Sequence, residues 1–220
     1  MMKREILITK DGSPTIEIAE MNVTYHSIHG AVQESSHIFI QTGLLPLIEL
    51  KQFEIINIFE MGLGTGLNAM LTYEAANKFQ QKIKYNAIEL FPLQEKEYTL
   101  LNYAGKEIIL QLHESKWDTD IVFNRYFSFH KTNQSLLGFS TDLPFTLIYY
   151  DAFAPAAQPE LWTEAVFSQL YSWLVPNGIL VTYCSKSTVQ KTMKAAGFTI
   201  EKIPGPPGKR EIIRATKPNK

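Results

Sequence analysis

The apolar positions of the chain change period several times, and each change marks an element. Residues 6–9 and 15–19 alternate apolar with polar around Asp11-Gly12-Ser13-Pro14, which predicts a hairpin with turn formers at its tip. Residues 31–50 carry apolar side chains at roughly helical spacing, interrupted by Gly43-Leu44-Leu45-Pro46. A helix, a loop and a short approach to a sheet are expected there. From residue 54 the pattern becomes regular. Strands are expected at 55–59, 83–88, 126–129, 145–150 and 179–183, and helices at 67–79, 92–103, 160–174 and 187–196. Pro92 suits the first turn of its helix, and Gly197 stops the last one. Two closing strands, 198–203 and 211–215, are separated by Pro204-Gly205-Pro206-Pro207-Gly208.

Strands alternating with helices imply a mainly parallel sheet covered on both faces. The loop before the last strand is too short for a crossover helix, so the last two strands must pair antiparallel. The expected fold is α/β, Rossmann-like, with a seven-stranded, mostly parallel sheet and an antiparallel last strand. Residues 1–50 form a hairpin-and-helix extension and residues 51–220 the Rossmann-like domain.

Composition alters this picture little. With 45% hydrophobic and 20% charged residues the chain is an ordinary globular protein. Its apolar runs are too short to span a bilayer, and its N-terminus lacks the apolar segment of a secretory signal. One cysteine, Cys184, makes no internal disulfide, so a reducing, cytoplasmic location is expected. The net charge of −1 does not advertise nucleic-acid binding, but its distribution says more. From residue 186 to the end there are nine Lys or Arg and two acidic residues, a balance of +7 that leaves −8 for the rest. Such asymmetry makes either a phosphate-attracting face or a solvated terminal hairpin.

The first candidate chemistry is the turn after the strand at 55–59, Glu60-Met61-Gly62-Leu63-Gly64-Thr65-Gly66. Glycines let the chain turn sharply and let a ligand approach the backbone, and the following helix offers unpaired N–H groups. The spacing is Gly-x-Gly-x-Gly, where a dinucleotide fingerprint has Gly-x-Gly-x-x-Gly. Glu60 would repel a pyrophosphate but suits a ligand with a cationic end. S-adenosylmethionine is therefore favoured over a nicotinamide or flavin. Glu89, just past the second strand, is placed to accept hydrogen bonds from both ribose hydroxyls. Phe91 flanks the adenine or simply packs in the core.

The second is Asp151-Ala152-Phe153-Ala154-Pro155, at the carboxyl end of the strand at 145–150, where open parallel sheets bind ligands. A carboxylate there can take the proton of a substrate amine and orient its lone pair, which makes Asp151 the candidate catalytic residue. The competing reading is a loop-ordering cap. Cys184 is either a nucleophile or a buried, inert thiol, and the latter fits the absence of a neighbouring base motif. His26, His29, His37, His113 and His130 lack metal-ligand spacing, so no metal is expected.

These segments together resemble one family, the methyltransferase half of the bifunctional bacterial MnmC proteins. The matching stretches are Tyr25-His26-Ser27 with Gly30-Ala31 and Glu34, the glycine loop through Asn68, Glu89 to Leu93, Asp151 to Pro155 with Pro159-Glu160-Leu161-Trp162, and Gly208-Lys209-Arg210-Glu211. The resemblance implies methyl transfer from S-adenosylmethionine to the primary amine of 5-aminomethyl-(2-thio)uridine at the tRNA wobble position. It implies donor binding by Glu60, Gly62, Gly64, Gly66, Asn68, Glu89 and Phe91. On the substrate side it implies Tyr25, Ser27, Phe153 and Pro155, with Lys209 and Arg210 near the tRNA. Two departures stand out: Ala157-Gln158 occupy the place of a Lys-Asn pair, and His130-Lys131-Thr132 that of a Gly-Asp pair. The chain is too short for a flavin oxidase half, so another enzyme is expected to supply the aminomethyl substrate. A small-molecule amine or phenol methyltransferase, and a non-catalytic nucleotide-binding module, are the alternatives.

Overall fold

The computed structural model describes residues 3–219. The chain opens with a small antiparallel sheet of β1 (Arg4–Ile8), β2 (Pro14–Ile18) and β3 (Val23–Thr24). The expected hairpin is present, and Asp11 at its tip organises it. The Thr9 hydroxyl, the Ser13 N–H and hydroxyl, and the Gln33 N–H all donate to the Asp11 carboxylate. Burial alone would raise its pKa, but these hydrogen bonds win and hold it at about 2. The turn is thereby tied to the first turn of the next helix.

Residues 31–50 depart from the expectation of a broken helix. α1 (Ala31–Ser35) runs through a π-helical stretch, Ser36–Leu44, into α2 (Leu45–Leu50). Pro46 falls in the first turn of α2, where its missing N–H costs least. Gly43 is there for closeness and does not break the helix: a Cβ on it would lie 3.1 Å from a methyl of Val181 in the sheet.

The main body follows as β4 (Ile55–Met61), α3 (Leu67–Phe79), β5 (Lys82–Ile88), α4 (Glu95–Tyr98), α5 (Lys106–Glu114), β6 (Ile121–Asn124), β7 (Phe127–Thr132), β8 (Phe145–Tyr150), α6 (Glu164–Trp173), β9 (Leu174–Thr182), α7 (Ser187–Ala195), β10 (Thr199–Pro204) and β11 (Glu211–Thr216). The sheet has eight strands in the order β10-β11-β9-β8-β4-β5-β7-β6. Seven were expected; the eighth, β6, pairs antiparallel with β7 at the edge. β11 lies antiparallel between β10 and β9, as the short connecting loop required.

Two further boundaries differ. The helix expected at 92–103 is only the single turn α4, because Gln94 and Glu97 form a capping box that starts it after Pro92. α5, which the pattern reading left out, follows it and buries Ile109 and Leu112. The helix expected at 160–174 is split at Thr163, whose hydroxyl caps α6, while Pro159–Trp162 form a separate short turn.

The chain leaves β4 for β5 on one side and returns to β8 on the other, so β4 and β8 form the switch point of the sheet. Apolar clusters cover both faces. Ile16, Phe39 and Leu47, from the first fifty residues, belong to the same cluster as Leu67, Tyr85 and Tyr149. Among the described residues no helix is long and apolar enough to cross a membrane.

Candidate active site at the switch point

The glycine loop leaves β4 against the end of β5. The N–H groups of Gly62 and Leu63 both donate to the Ile88 carbonyl, at 3.1 Å each. Gly62, Gly64 and Gly66 have φ of 85°, 54° and 76°, left-handed values that side chains resist. Gly64 is also crowded: a Cβ would stand 3.1 Å from the Tyr25 ring, which reaches over the loop from the N-terminal region.

Two carboxylates and one amide form the floor. Glu60 ends β4 and is wholly buried. Asn68, on the first turn of α3, donates from one amide nitrogen to Glu60 Oε1 and to Asp151 Oδ2, each at 3.0 Å. Burial pushes the Glu60 pKa well above the usual carboxylate range, against the Asn68 hydrogen bond. Glu60 thus reaches the cavity through Asn68 and does not line it. Asn68 does line it, and its buried Oδ1 has no hydrogen-bond partner.

Asp151 is the first residue beyond β8, beside Gly62. Its side chain is only partly exposed, and its pKa is pushed up to about 7. Burial contributes most and the negative charge of Glu34 adds to it, while the Asn68 hydrogen bond and Lys209 pull the other way. Two cavities meet here. The larger, with an empty volume of about 1020 Å³ counting its open mouth, runs from Asp151 past the glycine loop to Glu89, Phe91 and Leu137. The second holds Ser27, Glu34, Tyr183 and Lys209. Tyr25, His26, Asp151, Ala152 and Phe153 belong to both walls.

Glu89 stands at the far end of the larger cavity. Its Oε2 accepts the Gly64 N–H at 2.9 Å and its Oε1 the Phe91 N–H at 2.7 Å. Each oxygen keeps a lone pair. Phe91 is half exposed at the rim, and Arg4 fixes its loop by donating to the Phe91 and Pro92 carbonyls. Phe153 meets Tyr25 edge-on at 5.3 Å, and its own backbone is held by Trp162 and Gln158. Of the residues singled out from sequence, Glu60, Gly66, Pro155 and Arg210 line neither cavity. Gly66 closes the loop onto α3 instead, and Arg210 is exposed. Cys184 is buried, which pushes its thiol pKa up.

Pattern reading passed over two residues that set the loop. His113 Nε2 donates to the Thr65 carbonyl at 3.1 Å, and its ring stacks on Tyr98. Burial holds its pKa near 4, so it stays neutral. Lys131 is buried and donates to the carbonyls of Leu112 and His113, at 2.9 and 2.6 Å, closing the C-terminus of α5. Its ammonium lies 4.4 Å over the Trp117 ring, and burial lowers its pKa to about 8. Here the lysine found in place of a Gly-Asp pair serves the helix that carries His113. Neither role leaves a local signal, since both partners are carbonyls of distant segments.

The sequence matches the S-adenosyl-L-methionine-dependent methyltransferase family over residues 71–218. The chain belongs to that family. The matched span contains Glu89, Asp151 and Lys209, and the glycine loop lies just ahead of it. The tRNA 5-methylaminomethyl-2-thiouridine biosynthesis bifunctional protein MnmC of Pseudomonas aeruginosa is 26% identical over 215 residues, 87% of this chain and 32% of that protein. Its counterpart in Leptospira borgpetersenii is 31% identical over 205 residues, 86% of this chain and 31% of that protein. The chain spans about a third of the length of these relatives. MNMC2 from Aquifex aeolicus superposes with a TM-score of 0.84 at 23% identity, covering 100% of this chain and 73% of its own. Spermidine synthase from Thermotoga maritima does so at 0.58 and 12% identity, covering 99% and 70%. The last two likenesses show the fold.

S-adenosylmethionine is the cofactor of this methyltransferase, and the larger cavity suits it. The unpartnered, buried Asn68 Oδ1 is an acceptor in want of a donor such as an ammonium. The left-handed glycines leave backbone where side chains would fill the space. Glu89 lines the same cavity and keeps acceptor capacity on both carboxylate oxygens, which a ribose diol can use.

Proposed function

We propose that this methyltransferase acts on the primary amine of 5-aminomethyl-(2-thio)uridine at the tRNA wobble position. One observation carries the reading: Asp151, with a pKa near neutrality, stands in the wall common to both cavities. When bound, S-adenosylmethionine supplies an electrophilic methyl group. Glu89 and Asn68 hold the donor, with Glu60 fixing Asn68 from behind. Tyr25, Ser27 and Phe153 bound the amine side. Asp151 takes the amine proton at its carboxylate, which frees the nitrogen lone pair, and a base with pKa near the working pH is the efficient choice. The names of the MnmC relatives support the tRNA substrate. The proposed setting is cytoplasmic, and an upstream reaction supplies the aminomethyl group.

The test is to incubate the protein with methyl-labelled donor and tRNA carrying 5-aminomethyl wobble uridine, then digest to nucleosides. Label at that nucleoside is expected. If donor binds and the wobble uridine stays unlabelled, the tRNA reading is wrong.

Charge placement refines the nucleic-acid face. Several C-terminal cations are already committed: Lys202 to Glu211, Arg214 to Glu201, and Lys209 to Glu34. Among the described residues, Lys186, Lys191, Lys194 and Arg210 are exposed and form no ion pair. Arg210→Ala is expected to weaken tRNA binding and to reduce the slope of log affinity against log salt by about one. A salt titration giving the wild-type slope would place the contact elsewhere.

A further inference from the structure

We infer that Glu34 is the second carboxylate of the amine chamber, and that together with Asp151 it engages the two N–H bonds of the incoming primary amine so that only one methyl is added. The inference rests on the amine reading above. Glu34 lies in α1 and is 8% exposed. Its Oε2 accepts the Ser27 N–H at 2.6 Å. Its Oε1 is buried and makes no hydrogen bond. The polar group beside it is the Lys209 ammonium, 3.1 Å away and out of line for one.

What Lys209 does there identifies the ligand chemistry. Its ammonium sits 4.6 Å over the face of Tyr183, whose hydroxyl is fixed by donating to the Ala152 carbonyl at 2.9 Å. A carboxylate on one side and an aromatic face on another make a cradle for an alkylammonium. The chamber therefore already accommodates the functional group of the substrate, a primary ammonium on a methylene. An incoming aminomethyl group meets the Glu34 carboxylate, whose Oε1 has no hydrogen-bond donor, beside Lys209 and with Asp151 in the shared wall. Glu34 is also close enough to Asp151 to raise its pKa, which places both charges on one chamber.

The reaction balances as follows. The substrate arrives as R–CH2–NH3+ and gives one proton to the Asp151 carboxylate. The remaining amine has two N–H bonds, one directed to Glu34 and one to the unprotonated oxygen of Asp151. Its lone pair is left facing the donor. The nitrogen forms the new N–C bond as the C–S bond breaks, with that electron pair left on sulfur, giving R–CH2–NH2+–CH3. After losing a proton the product has one N–H. It cannot satisfy both carboxylates and still aim its lone pair at a second donor.

The test compares wild type with Glu34→Gln, which keeps the side-chain volume and an acceptor for Ser27, and with Glu34→Asp, which keeps the charge. Three quantities are read: nucleoside products by mass, the pH profile of kcat/KM, and the affinity for 5-aminomethyluridine with S-adenosylhomocysteine present. For Glu34→Gln, kcat/KM and nucleoside affinity are expected to fall about tenfold or more. A dimethylated nucleoside should appear, and the acidic limb of the profile should move to lower pH once the Glu34 charge is gone. The Tyr25, His26, Asp151, Tyr183 and Lys209 groups facing the chamber are unchanged in this variant. S-adenosylhomocysteine affinity should stay within about twofold, and Glu34→Asp should restore single methylation. An active wild type whose Gln variant keeps its rate, its single product and its pH limb overturns the inference and leaves the proposed function standing. A wild type unable to methylate the aminomethyl tRNA overturns both.

Discussion

Replacing Asp151 by Asn is expected to lower turnover roughly 10²- to 10⁴-fold, the usual contribution of a positioned acid–base group, while making the fold more stable at neutral pH. The two effects share one cause. Desolvation first, then the Glu34 charge, raise the Asp151 pKa to about 7 from its ordinary value of 3.8. Between those two values the folded protein holds a proton that the unfolded chain has released. Stability therefore falls as pH rises from about 4 to 7 and is level above. Asn removes the buried charge and retains an acceptor for Asn68, so a gain of about 1–2 kcal/mol at pH 8 is expected, discounted because the carboxylate opens on a cavity. Activity runs the opposite way with pH. Below about 7 the carboxyl is protonated and cannot accept the amine proton, so kcat/KM should drop about tenfold per unit and level off above neutrality. Donor affinity should change little. A pH–rate profile breaking near 4, or an Asn variant with wild-type turnover, would remove Asp151 from the chemistry.

Lys131→Ala is expected to cost about 3 kcal/mol, because two buried carbonyls at the end of α5 lose their donor and a cavity opens under Trp117. For a domain of this size that is a fall of roughly 6–12 °C in melting temperature. The loss should extend to function. Lys131 holds the end of α5, α5 carries His113, and His113 holds the Thr65 carbonyl inside the glycine loop. Weaker donor binding is expected at temperatures where the variant is still folded. Calorimetric melting and donor titration check the two halves separately; a melting temperature within about a degree of wild type contradicts the first.

Most strands of the large sheet and α3 were readable because each buries side chains at its own period; the edge strand β6 was not. Residues 67–79 and 145–150 match their elements residue for residue. What pattern reading missed depended on distant partners. The Gly43-to-Pro46 segment looks like a break, yet a π-helical stretch and the nearby Val181 side chain turn it into a close helix–sheet contact. α5 shows little beyond Ile109 and Leu112 inside, and its C-terminal cap comes from a strand partner, Lys131, that sequence cannot pair with it. At the site, the glycine loop, Glu89 and Asp151 announce themselves because their positions follow strand ends. Glu34 belonged to a matching stretch but carried no role there, since only folding brings it into one cavity with Asp151. The basic C-terminal segment was visible as charge, but which cations are spent on Glu201, Glu211 and Glu34 was not.

The wall common to the two cavities has a kinetic consequence. In the proposed arrangement donor and amine occupy separate cavities that share five lining residues, so neither takes the other's place. With Cys184 buried, its thiol does not accept the methyl as a covalent enzyme intermediate. Both ligands must then be present together before anything reacts. Initial-velocity plots should intersect and not run parallel, and S-adenosylhomocysteine should compete with the donor alone. Methylated tRNA and fresh donor can share the protein as a dead-end complex, so excess product would slow turnover without displacing the donor.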